Sequence, residues 1–120
     1  MVFVGDVMFG RYKGNGFAAI PADTYDVFAE VAPALASDFT MANLETPVMW
    51  DPPRKTPYDA HLRFVTTPAR VAAVKRAGID HVSLANNHYW DMKMPGVEQS
   101  PLVLKAAGIT PHGAAVAAGE

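Results

Sequence analysis

Short apolar runs closed by glycine, proline or an amide alternate along this chain with stretches of helical spacing. Val2-Phe3-Val4 is β-branched and aromatic and stops at Gly5-Asp6, which predicts a first strand. Between Tyr25 and Ser37, Val27, Phe28, Val31 and Leu35 recur at roughly helical intervals. Pro33 disfavours one continuous helix there and suits the first position of a second short turn. Phe39-Thr40-Met41-Ala42 predicts a second strand, and Leu62-Arg63-Phe64-Val65 is strand-like. Thr67-Pro68 gives a cap and a first-turn proline to a helix running through Val71 and Val74 to Ala77, where Gly78 stops it. His81-Val82-Ser83-Leu84 predicts a buried strand. Gly96–Ser100 then leads to a helix over Pro101–Ala107, ended by Gly108. Ile109-Thr110-Pro111-His112 begins a further strand, which Pro111 confines to its first part or to a sheet edge.

Lys75-Arg76-Ala77-Gly78-Ile79 and Lys105-Ala106-Ala107-Gly108-Ile109 echo each other at the length of one strand-helix unit. The pattern as a whole predicts an α/β fold with a mostly parallel sheet, in one domain over residues 1–120. Gly14-Asn15-Gly16-Phe17-Ala18-Ala19 fits a dinucleotide-binding string in spelling only. Such a string should come after a strand and open a helix. Here Arg11-Tyr12-Lys13 precedes it and Ile20-Pro21 breaks any helix on its far side, so a flexible loop is expected.

Composition narrows the classes. With 50% hydrophobic and 18% charged residues, the chain has enough apolar matter for a core. A net charge of −2 without a basic cluster argues against nucleic acid as a partner. The absence of cysteine excludes thiolate metal sites and disulfides. No apolar run approaches the ~20 residues that span a bilayer. Met1 runs straight into Val2-Phe3-Val4, so no signal peptide is expected within these residues.

The candidate chemistry sits where strands end. Asp6 comes directly after the first strand, and Gly5 before it is expected to let the backbone turn sharply. Asn43 and Glu45 leave the second strand on one side, being two residues apart. Asn86-Asn87-His88, with Asp91 three residues on, leaves the strand that begins at His81. Each set alone is also what an ordinary turn looks like: a Gly-Asp turn, a solvated turn before Pro47, an Asx turn with a surface histidine. Parallel strands put their carboxyl ends on one sheet edge, where open α/β sheets bind ligands. Oxygen donors with one imidazole suit Mn²⁺, Fe or Zn²⁺ better than a thiolate or calcium site does. Trp50 and Tyr58, in the proline-rich loop over Val48–Ala60, either cover a cleft or pack on the core. His61 and His81 are expected to be packing or surface residues, His112 is open either way, and Met8, Met41, Met92 and Met94 are expected to fill core or loop.

Gly5-Asp6-Val7-Met8-Phe9-Gly10-Arg11, Ala42-Asn43-Leu44-Glu45-Thr46-Pro47 and Ser83-Leu84-Ala85-Asn86-Asn87-His88 with Asp91 resemble, in order and spacing, three N-terminal motifs of the CapA family of bacterial capsule and poly-γ-glutamate biosynthesis. Ala107–Gly113 resembles a later Ala-Gly-Ile-x-x-x-Gly of that family. The family is similar to calcineurin-like metallophosphatases. The resemblance implies an α/β/β/α sandwich, of which this chain would be an incomplete N-terminal part. It implies a divalent metal (Mn, Fe or Zn), two in the full domain, held by Asp6, Asn43, Glu45, Asn87 and His88. His88 would also contact the substrate, with Arg11 as an anion contact and Asp91 as a group orienting its neighbours. Lys93 stands where the family often has glycine, and Pro101 interrupts a usually cleaner helix.

The implied function is metal-dependent hydrolysis or transfer at a phosphate, ester or amide in capsule or poly-γ-glutamate assembly. Its substrate would be that polymer, another anionic polymer or a phosphoester, at the bacterial cell envelope and beside a membrane synthase. Two alternatives stand beside it: a non-catalytic, polymer-binding or synthase-associated component, and a metallophosphoesterase unrelated to capsule. A parallel sheet with few helices to cover it also predicts self-association.

Overall fold

Four short strands lie parallel in one sheet, and the chain returns between them through helix or loop. The computed structural model describes residues 1–13, 16–18, 26–55 and 63–113. The elements are β1 (Val2–Val7), β2 (Arg11–Lys13), β3 (Gly16–Ala18), α1 (Ala32–Leu35), β4 (Thr40–Leu44), α2 (Pro68–Arg76), β5 (His81–Ser83), α3 (Lys93–Ala106) and β6 (Thr110–His112). The main sheet has the order β1-β4-β5-β6, and each adjacent pair is parallel. This is the α/β architecture expected from the sequence, and it is consistent with part of a metallophosphatase-like domain. The strand-helix unit echoed in the sequence brings β5 and β6 together as neighbours.

The inward face of the sheet carries Ala42, Leu44, Val82 and Leu84. They pack with Val71, Val74 and Ala77 of α2, Val103 and Leu104 of α3, and Ile79 and Ile109 before the strands. Burying each large aliphatic here stabilises the fold by roughly 1.5–3 kcal/mol. The opposite face is more open. Along β4 burial alternates, so that Met41 and Asn43 are only half buried, and Phe3 on β1 is 65% exposed. Gly78 and Gly108 end α2 and α3 with φ of 94° and 79°, as expected of the residue that stops each helix.

Several local expectations are corrected. The segment after Tyr25 forms turns and then only the single turn α1, with Pro33 in its first positions. The second strand is displaced to Thr40–Leu44, so Asn43 lies inside it. Phe64 and Thr66 make isolated bridges rather than a regular strand; Thr66 pairs with Val48. Thr67 has the extended backbone of a cap, but its hydroxyl makes no capping bond and is buried without a partner among the described residues. Within the stretch expected as a loop, Gly14–Ala19, Gly16–Ala18 form β3, which pairs antiparallel with β2 ahead of it. Gly14 and Asn15, between the two strands, lie outside the described residues.

The largest correction concerns Pro101. It does not open a helix but sits inside α3, which begins at Lys93. A proline there removes the hydrogen bond to the carbonyl four residues earlier. That carbonyl, Val97 O, accepts from the Tyr89 hydroxyl at 3.1 Å instead. One turn back, Ser100 Oγ donates to Gly96 O at 2.6 Å and accepts from Val48 N at 2.8 Å. The Tyr89 hydroxyl thus supplies the partner that the proline denies to Val97 O.

Candidate functional site

The ends of β1, β4 and β5 are joined by side-chain amides and a carboxylate. In register, Asp6 lies beside Asn43, and Asn43 beside Ser83. The pairing of β1 with β4 slips between Phe3 and Asp6. That irregularity leaves Gly5 and Asp6 both exposed, with Val4 and Val7 half buried on either side. A bulge re-aims a side chain in this way. Gly5 therefore does not serve the sharp turn expected of it. It is not among the residues with positive φ, and a Cβ added there would meet nothing within 4 Å.

Asn43 Nδ2 donates to Asp6 Oδ1 at 2.8 Å. Asn43 Oδ1 accepts from Asn86 Nδ2 at 3.1 Å, and the same Asn86 amide donates to Leu44 O at 2.9 Å. Asn86 Oδ1 in turn accepts from His88 N at 3.0 Å, closing an Asx turn. Asn86 is thus the residue that binds the two loops; the residue that the family resemblance names as a metal ligand is its neighbour Asn87. Asn87 is exposed and its side chain makes no hydrogen bond among the described residues. The signal for Asn86 was present as the Asn-x-His turn pattern.

His88 is held from two sides. Its Nδ1 lies 2.8 Å from Asp91 Oδ2, and its ring stacks on Phe64 with centroids 4.0 Å apart. Asp91 is only 3% exposed. The same Oδ2 accepts from Phe64 N at 2.8 Å, and Arg63 Nη1 approaches Oδ1 at 3.5 Å. With the Nδ1 proton donated to Asp91, Nε2 is left as the acceptor of the ring. His88 is therefore an oriented imidazole rather than a loose surface histidine.

Further bonds fix the frame. Thr46, fully buried, accepts from Phe9 N through Oγ1 at 3.0 Å and so ties the segment after β4 to the one after β1. Gly113, at φ 70°, brings its backbone against Ala85 at the start of the Asn86–His88 loop; a Cβ there would lie 2.7 Å from Ala85 Cβ. Neither role was read from the sequence.

The structure joins Asp6 to Asn43, and His88 to Asp91. Glu45 is half buried beyond β4 and donates its backbone N–H to Val7 O at 3.0 Å, with no side-chain hydrogen bond among the described residues. Arg11 opens β2, and its side chain lies outside the described part. Tyr58 and His61 also fall outside it. The donor types on this edge, carboxylate, amide oxygen and imidazole, suit a hard or borderline divalent ion. Among the described residues, however, no three His, Cys, Asp or Glu side chains gather to close a coordination shell.

The model of the bacterial capsule synthesis protein family PGA_cap matches residues 1–120. The chain belongs to this capsule synthesis family. Among relatives, the capsule biosynthesis protein CapA of Bacillus anthracis is 32% identical over 116 residues, covering 95% of this chain and 28% of that protein. The PGA biosynthesis protein CapA of Bacillus subtilis (strain 168) is 31% identical over 99 residues, covering 82% of this chain and 25% of that protein. This capsule-family chain therefore spans about a quarter of the length of the curated relatives it matches. Among the described residues, no helix is long and apolar enough to cross a membrane.

Proposed function

We propose that this chain supplies one wall of a metal-dependent hydrolase or transferase site used in capsule assembly at the bacterial cell envelope. The reaction would take place at a phosphate, ester or amide. Poly-γ-glutamate or another anionic polymer, or a phosphoester, would be the substrate, and a membrane synthase the natural neighbour. The observation that carries the reading is the hydrogen-bonded line Asp6–Asn43–Asn86 across three loop or strand ends, with His88 fixed beside it by buried Asp91.

In this reading Asp6 and Asn43, with Glu45, Asn87 and the Nε2 of His88, would hold Mn²⁺, Fe or Zn²⁺. Water or groups from outside the described residues would complete the shell. Bound there, the ion would polarise the scissile bond and activate water. The chain's own residues do the positioning. Asn43 orients the Asp6 carboxylate. Asn86 fixes the loop so that His88 starts at a set height above the sheet. Asp91 and Phe64 set the ring plane and keep Nε2 available to bind a ligand or to exchange a proton with a substrate oxygen. Arg11 would serve the substrate's charge.

A second reading, binding of an anionic polymer without turnover, is favoured by one feature. Trp90, 49% exposed and two residues beyond His88, has Lys93 Nζ at 5.8 Å from its ring, an aromatic and cationic edge suited to a polyanion. Activity separates the two. The metal-loaded protein should hydrolyse phosphate esters or γ-glutamyl peptides, and Asp6→Asn should abolish turnover while leaving the melting temperature nearly unchanged. Polymer binding with no turnover on either substrate would support the second reading.

A further inference from the structure

The open face of the sheet carries a pair of imidazoles that the proposed site does not use. His81 opens β5 and His112 closes β6, and the register places Ser83 beside His112 and Thr110 beside His81. Both histidines therefore project from the face opposite buried Val82. His81 Nδ1 lies 3.1 Å from His112 Nε2. The His81 ring is stacked on Phe39 with centroids 4.3 Å apart and planes at 24°. His112 is solvent-exposed.

We propose that His81 and His112 form a binding site for an imidazole-seeking transition ion such as Ni²⁺, Cu²⁺ or Zn²⁺. Two Zn–N bonds of about 2.0–2.1 Å at a tetrahedral angle set the nitrogens about 3.3 Å apart. The observed 3.1 Å needs only a slight opening of the pair to admit an ion. Both side chains stand on adjacent, hydrogen-bonded strands, and stacking on Phe39 already restricts the His81 ring, so little freedom is lost on binding. No third His, Cys, Asp or Glu joins them among the described residues. Water therefore completes the shell, which the exposure of His112 permits. Imidazole ligands select Ni²⁺, Cu²⁺ and Zn²⁺ over the oxygen-preferring Mg²⁺, Ca²⁺ and Mn²⁺. The pair stands at the β6 end of the sheet, across it from Asp6. His112 ends the row that runs from Asp6 through Asn43 and Ser83, three strand spacings or roughly 14 Å away from the carboxylate.

Calorimetric titration with Ni²⁺ alone tests this on the full 120-residue chain. In the Asp6→Asn background, which removes a ligand of the proposed edge site, one Ni²⁺ should bind per chain. Added to that background, His112→Gln and His81→Gln should each weaken binding by about tenfold or more, since even removing a group that only supports a ligand typically costs 10–100-fold. The unsubstituted chain gives a second readout that does not depend on how a variant folds. Ni²⁺ should broaden the imidazole resonances of His81 and His112 before those of His61 and His88. No binding at millimolar Ni²⁺, unchanged affinity in the two variants, or first broadening at His88 or His61 would overturn the proposal.

Discussion

Asp91 decides more than its size suggests. It is almost fully buried, takes two hydrogen bonds on one oxygen, and leaves His88 a single tautomer. Asp91→Ala should destabilise the fold by about 1–3 kcal/mol, because Phe64 N–H and the imidazole lose a buried partner. Thermal or urea unfolding measures that loss, and nitrogen chemical shifts of His88 should show the second tautomer gaining population. Tyr89 offers a test with a pH signature. Burial raises its phenol above the ordinary tyrosine value, so the folded state favours the protonated hydroxyl that donates to Val97 O. A raised folded-state value means that this contribution is complete below the unfolded value near pH ~10 and is lost as pH climbs through the folded one. Tyr89→Phe should cost about 1 kcal/mol at neutral pH. It should also remove part of the decline in stability above pH ~10, read from melting temperature against pH.

At the scale of elements, helix α3 shows what the sequence could and could not disclose. Pro101 argued for a helix start, because a proline reads as a break wherever its missing bond has no substitute. The substitute is a tyrosine twelve residues earlier, and nothing in local periodicity marks that partner. The four strands of the main sheet were legible as short runs that ended near glycine or an amide, whereas β3 fell in a stretch read as a loop. The bulge at Gly5 was not legible, because it is set by the pairing with β4 rather than by the residues themselves. In the site, the strand-end residues stood out by type, but the linking hydrogen bond of Asn86 depended on which amide met Asn43 across the sheet. Lys93 is a related case. It begins α3 with φ 54°, the one non-glycine residue at positive φ among those described. A side chain in that region costs about 1–2 kcal/mol, and glycine offsets part of its relief by greater freedom in the unfolded chain. Lys93→Gly should therefore raise stability by up to about 1 kcal/mol. A calorimetric melt checks this, and a loss of stability would mean that the lysine's own contacts outweigh the strain.

For the whole molecule, a parallel sheet normally has both faces covered, and here the helices of the core meet one. Phe3 is 65% exposed and Met1 81% exposed at the outer strand β1. The isolated 120-residue chain is expected to associate with a second copy through this face and edge. Sedimentation velocity should show concentration-dependent mass, and a monomer at all concentrations with no hydrophobic-dye binding would contradict it. The central claim, that the carboxyl edge of the sheet is a divalent-metal site in this capsule-family chain, is tested most directly with Mn²⁺, whose paramagnetism broadens nearby amide signals and whose oxygen preference keeps it off the histidine pair. The account predicts that substoichiometric Mn²⁺ broadens Asp6, Asn43, Asn86 and His88 first, and that Asp6→Asn removes the effect. Broadening centred elsewhere, or a pattern indifferent to Asp6→Asn, would contradict it.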